Sequence, residues 1–155
     1  MNDADFTGLC RELMPGMYRM SLSMLQHHAD AQDAVQQALM KAWARRYTVR
    51  TGAEKAWLMR IVINECHNIH RQRKRMQPVE HLPERGYTPP DTALRDAMEV
   101  LPAKWRLPLL LKYMEGMSEM EVAQALGITQ TAVKGRLFRA RKALEKTLKE
   151  EVELG

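Results

Sequence analysis

The sequence predicts an all-α protein built from two small helical modules joined by a flexible linker. Three observations carry this expectation. Apolar residues recur at helical spacing through most of the 155 residues, and no segment reads convincingly as a strand. Glycine and proline, the residues that punctuate helices, are scarce outside one stretch. That stretch, MQPVEHLPERGYTPPDT, holds Pro78, Pro83, Pro89 and Pro90, four of the seven prolines, and has no sustained apolar period. We read 77–91 as the linker, 1–76 as the first module and 92–155 as the second. With 45% apolar residues, the chain can fill real cores.

Composition narrows the function. Cys10 and Cys66 are too few and too distant to frame a disulfide scaffold, and MNDADFTGLC has no basic region followed by an apolar run. A cytoplasmic protein is expected. The apolar runs near Trp57–Ile63 and Leu107–Leu111 are cut or bounded by arginine and lysine, well short of the roughly 20 residues of a membrane helix. No nucleophile, base and orienting group occur together, so we expect no enzyme, no catalytic residue and no cofactor. Cys66 and His70 are i, i+4 neighbours, but Cys66 falls on an apolar face and no fourth ligand is evident, so no metal site is expected.

Charge is more informative by half than in total. The net charge is +5, and all of it lies in residues 1–75, which hold twelve Lys/Arg against seven Asp/Glu. The second half is neutral on average, yet Lys134, Arg136, Arg139, Arg141 and Lys142 form a run without an acid. The first half ends on Arg71, Arg73, Lys74 and Arg75. Two basic elements on two modules suggest an anionic partner such as nucleic acid.

Taken in order, Met14, Met17, Met20 and Met24 recur at helical spacing, as core or as an adaptable partner surface. His27-His28 reads as a helix-end pair. Asp30 is placed to cap a helix whose apolar face is Ala31, Ala34, Val35, Ala38, Leu39, Ala42 and Trp43. Its opposite face, Gln32, Asp33, Gln36, Gln37 and Lys41, either meets water or docks a polar partner. RRYTVRTGAEK then connects to a helix from about Trp57 to Arg75, as a surface turn or a pocket for a flipped base. On that helix Leu58, Ile61, Val62, Cys66 and Ile69 share one side. Arg60, Asn64, His67, Asn68, Arg71 and Lys74 share the other, a carboxylate-free stripe of cations for phosphates and amides for bases, or a solvated face.

In the second module Leu94, Ala97, Met98 and Leu101 make a short amphipathic helix. Pro102 starts the next, with Trp105, Leu109 and Leu110 as core, and Pro108 should kink or break it. Ser118 and Glu121 form a capping box, Gly127 makes a turn, Thr129 caps again, and a last helix runs from Gln130. Helix, glycine turn and helix give a helix-turn-helix layout. Val133, Leu137, Ala140 and Leu144 point inward. Thr131, Gly135, Phe138, Arg139 and Lys142 point away, with Lys134, Arg136 and Arg141 at the flanks. An exposed Phe suits thymine methyls or sugar edges, and Gly135 permits close approach to a groove.

These residues resemble the extracytoplasmic-function (group IV) sigma factors, of the sigma-70 family of bacterial RNA polymerase. ADAQDAVQQALMKAW at 29–43 resembles the region 2 helix that docks on the polymerase clamp. WLMRIVINECHNIHRQRKR at 57–75 resembles the helix that melts and reads the −10 element. LPAKWRLPLLLKYMEGMSEMEVAQALGITQTAVKGRLFRARKAL at 101–144 is similar to region 4, which reads the −35 element. The resemblance covers nearly the whole chain, with Gln32 and Gln37 where acids are common in the family. It implies that Asp33, Gln36, Gln37 and Met40 face core polymerase. Arg50 and Thr51, in the loop from Thr48 to Lys55, with Arg60, Asn64, His67, Arg71 and Lys74, would meet the −10 strand. Thr131, Lys134, Gly135, Arg136, Phe138, Arg139 and Lys142 would enter the −35 major groove.

The function so implied is to direct core polymerase to promoters and aid strand opening, with polymerase clamp and flap, promoter DNA and an anti-sigma factor as partners. Tethering makes the second DNA contact intramolecular, and some fifteen linker residues reach on the order of 50 Å extended. The rival reading is a two-module helix-turn-helix regulator that acts without polymerase.

Overall fold

The computed structural model describes residues 1–75 and 92–154, and the linker expected at 77–91 lies outside them. Among the described residues, seven α-helices and one π-wound turn occur and no strand. They divide into two compact units, one built on α1 (Asp3–Leu25), α2 (His28–Ala44) and α3 (Glu54–Arg75). The other is built on α4 (Thr92–Glu99), α5 (Ala103–Leu109), a π-wound turn (Leu110–Met114), the first part of α6 (Glu119–Leu126) and α7 (Gln130–Leu154). None of the helices described is long and apolar enough to cross a membrane.

In the first unit the three helices all pack on one another. The Asn2 side chain caps α1 by accepting the Asp5 N–H at 2.8 Å. Phe6, Leu13, Met17, Met20 and Met24 then bury one face, so the methionines at 17, 20 and 24 are core and only Met14 of that row stays exposed. Gln26 takes a left-handed conformation (φ 56°) and closes α1 through its N–H to Leu22 O. The start of α2 differs from expectation: His27 is the cap, its ring nitrogen accepting the Asp30 N–H, while Asp30 sits inside the first turn. An imidazole nitrogen can do the work of a capping oxygen, and the Asp30 carboxylate, 3.8 Å from that ring nitrogen, does not cap the helix itself. Ala31, Ala34, Ala38 and Ala42 are fully buried, and such small side chains let α2 lie close to its neighbours. Trp43, expected in that face, is 42% exposed because it sits at the end of the helix, edge-on to Phe6 at 5.3 Å.

α3 starts a turn before Trp57, where Glu54 accepts the Gly52 N–H. Its buried face is Ala56, Leu58, Met59, Val62, Ile63, Glu65 and Cys66, broader than the predicted strip because it packs on both α1 and α2. Ile61 and Ile69 lie half-buried at its margins.

In the second unit α4 and α5 both pack on α7. Ala97 and Leu101 are buried, whereas Leu94, in the first turn of the short α4, is exposed. Pro108 neither breaks nor ends the segment. It is buried in α5, and the winding loosens two residues later, where Glu115 N–H bonds to Leu110 O five residues back. The capping box forms as expected: Glu121 N–H donates to Ser118 Oγ at 3.1 Å and Ser118 N–H to Glu121 Oε1 at 3.0 Å. Gly127, at φ +68°, makes the turn, and Thr129 Oγ1 accepts the Ala132 N–H to start α7. Val133, Leu137, Ala140 and Leu144 are the buried row of α7.

Candidate nucleic-acid interface

The exposed side of α3 carries Arg60, Asn64, His67, Arg71 and Lys74, opposite its buried face. Asn68 is half-buried and accepts a hydrogen bond from Arg71. No carboxylate enters the stripe. The nearest acid in sequence, Glu65, is buried on the other side and paired with Lys41 of α2, so it does not neutralise the cations here. Partial burial, together with the charges of His70 and Arg71, holds the His67 imidazole below its usual value of 6.5. At pH values above 6.5 the neutral ring is therefore favoured, able to donate from one nitrogen and accept at the other.

The connection from α2 to α3 is turn structure as far as Ala53, shorter than the loop to Lys55 that the sequence suggested. Arg50, Thr51 and Gly52 are exposed. Gly52 has φ +91°, and its N–H meets both Glu54 carboxylate oxygens at 3.0 and 2.9 Å, which fixes the exit of the loop. At the entrance, the Arg46 guanidinium lies between two aromatic rings, 3.7 Å from Trp43 and 4.4 Å from Tyr47. Tyr47 is 68% exposed.

On α2, Asp33, Gln36, Gln37 and Met40 are exposed along one face, Met40 by 67%. Lys41, grouped with that face by sequence, turns to Glu65 instead and leaves the face with little charge.

In the second unit Thr131, Lys134, Phe138, Arg139 and Lys142 are exposed on α7, and Gly135 and Arg136 are half-buried. Phe138 is 55% exposed, with the Lys142 ammonium 4.7 Å from its ring centre. An aromatic side chain held beneath a cation offers an apolar surface and a phosphate ligand together. Arg141 is spoken for, donating to the Tyr113 hydroxyl at 2.6 Å. Lys112 bonds Glu119 at 3.0 Å, tying the π-wound turn to the start of α6 and keeping the Glu119 carboxyl below its ordinary range.

Most of the chain is similar to known proteins. Residues 9–76 match the family described as Sigma-70 region 2, and residues 91–144 match Sigma-70, region 4. RNA polymerase sigma-E factor of Streptomyces coelicolor is 32% identical, over 93% of this chain and 86% of its own. The ECF RNA polymerase sigma factor SigL of Mycobacterium tuberculosis is 30% identical, over 86% and 83%. The chain belongs to the extracytoplasmic-function group of the sigma-70 family. Among solved structures, the sigma factor RpoE of Bartonella quintana, crystallised with the anti-sigma factor NepR, superposes with a TM-score of 0.76 and 29% identity, covering 94% of this chain and 97% of that one.

This sigma factor also has features that sequence reasoning passed over. The stacked group Trp43, Arg46 and Tyr47 was visible only as a basic, aromatic loop entrance. The pairing of Tyr113 with Arg141 joins residues 28 apart, which helical spacing does not reveal. His70 and Arg73 fall on the flank of α3 rather than in its stripe. Both reach back to the end of α1: His70 Nε2 lies 2.8 Å from Met24 O, and Arg73 Nη1 is 3.2 Å from Leu25 O.

Proposed function

We propose that this sigma factor selects promoters with two surfaces of different chemistry. The first module, 1–76, holds core polymerase and the −10 element, and the second, 92–155, reads the −35 element. The observation that carries this reading is a pair of basic faces without a carboxylate, one along α3 and one over residues 131–142 of α7, each opposite a buried face of the same helix.

On α7, Thr131, Lys134, Gly135, Arg136, Phe138, Arg139 and Lys142 enter the major groove of duplex DNA. A helix whose first turns are polar and whose Gly135 has open space around it can lie deep in the groove. On α3, Asn64 and His67 address base edges while Arg60, Arg71 and Lys74 neutralise phosphates. Arg50 and Thr51 line the adjoining loop, where a base turned out of the stack is accommodated. Unstacking costs a few kcal/mol, which contacts of this kind offset on the separated strand. The reaction needs no catalytic group from this chain.

Asp33, Gln36, Gln37 and Met40 dock on core polymerase. Their face joins amides to one long, adaptable apolar side chain, which suits a polar helical partner surface. An anti-sigma factor is the expected regulator, as the likeness to a relative solved with one supports. Because Met17, Met20 and Met24 are core, such a regulator must use other surfaces than that methionine row.

The test is co-elution of the purified chain with sigma-free core polymerase in gel filtration. The full chain co-elutes, and Gln36→Ala with Met40→Ala weakens binding roughly tenfold while leaving the helical signal unchanged. A folded chain that never co-elutes with core would overturn the reading in favour of a regulator acting alone.

A further inference from the structure

The C-terminal half of α3 faces a physical problem. Arg71, Arg73, Lys74 and Arg75 crowd its last turns without an acid among them, and helix ends fray. Yet Arg71 and Lys74 belong to the stripe assigned above to the −10 strand. If that end were loose, each DNA contact there would first have to order the backbone, and affinity would suffer.

The structure holds this end at a joint made from all three helices of the first unit. Three polar contacts meet there. α1 ends at Leu25 with carbonyls that have no partner within its own helix, at the negative end of its dipole. His70 donates from Nε2 to one of them, Met24 O, and Arg73 donates to the next, Leu25 O. Arg73 also forms an ion pair with Asp30, whose carboxylate lies between the guanidinium and the His27 ring nitrogen, 3.8 Å away, because His27 and not Asp30 caps α2. Cys66, His70 and Arg73 follow at i, i+4 and i+7, so the joint continues the buried side of α3 beyond its apolar part. Cations at the end of α1 and an acid at the start of α2 are each the favourable sign for those helix termini.

We propose that His70, Arg73 and Asp30 are positioning residues for the −10 reading stripe, setting the direction in which Asn64, His67, Arg71 and Lys74 are presented without touching DNA themselves. This inference rests on the function proposed above. The joint makes that end of α3 rigid before DNA arrives, so the cost of ordering it falls on folding and not on promoter opening.

Asp30→Asn gives the sharpest test, because electrostatics and positioning predict opposite results. Removing an acid adds one positive charge to the protein, and simple attraction would tighten DNA binding. The joint predicts weaker binding. The measurement is affinity of the holoenzyme for a promoter fragment that it transcribes, prepared as a heteroduplex unpaired across the −10 element, with core co-elution recorded in parallel. Asp30→Asn and His70→Leu each lower that affinity roughly tenfold, with core co-elution and affinity for a −35 duplex unchanged. Should either unfold, Arg73→Lys carries the test. It keeps the charge, but one ammonium cannot serve Leu25 O and Asp30 as the guanidinium does, and a several-fold loss is expected. Folded variants that bind the heteroduplex as tightly as wild type, or more tightly, overturn the proposal. Loss of transcription by the wild-type chain itself would instead overturn the function it rests on.

Discussion

His67 shows how a single residue links fold to function. Partial burial, with His70 and Arg71 nearby, holds its imidazole below 6.5 in the folded protein. For a lowered value the proton is bound more tightly in the unfolded chain. The neutral form's contribution to stability is therefore full above 6.5 and is lost as pH falls through the folded value. In the proposed complex DNA phosphates have the opposite effect and favour the cation, so binding would take up a proton. Affinity for a −10 single strand should accordingly rise as pH is lowered from 7.5 to about 6, and His67→Gln should flatten the profile. An unchanged profile in that variant would remove His67 from the interface. Burial works in the other direction on Cys66, whose thiol is pushed up to about 11 and stays protonated. At this scale the stripe was legible, because exposed and buried sides of a helix follow from spacing alone. The cap was not. Asp before an apolar row is the common signal, and nothing in sequence said that the imidazole of His27 would take its place.

At the scale of the element, the helix-turn-helix is the most locally encoded part of the chain. Ser118, Glu121, Gly127 and Thr129 each supply a donor, an acceptor or a φ angle to their immediate neighbours, which is why sequence alone was sufficient to place α6 and α7. Ser118→Ala should remove one half of the reciprocal cap and destabilise the second unit by about 1 kcal/mol, seen as a lower thermal midpoint with the helical signal of the native state retained. A midpoint equal to that of the wild type would mean that the cap contributes nothing. Elements fixed by tertiary contact were harder to read. The breadth of the buried side of α3 depends on α1 and α2 both covering it. The change from α to π winding after Leu109 was not readable in the sequence, since Pro108 alone did not distinguish a kink from a break. Trp43 and Leu94 left the predicted cores for the same reason: each sits at a helix end, where periodicity continues but the neighbouring helix does not.

For the whole molecule, the fold class and the division into two helical units were legible because composition changes so sharply at the proline-rich stretch. The mild net charge of +5 is better described as two basic helix faces, with Glu65 buried and paired away from the first and Lys112 paired with Glu119 beside the second. A protein that binds through several phosphates in this way should lose affinity steeply with salt. On the function proposed above, both faces engage promoter DNA while the chain is held on core polymerase, and together they choose the start site. Run-off transcription with core enzyme on genomic promoter fragments measures this most directly. Discrete transcripts that require the chain are expected, lost on Asn64→Ala with Arg71→Ala, and separately on Arg136→Ala with Arg139→Ala. A chain that binds core polymerase but yields no transcript beyond that of core alone would contradict it.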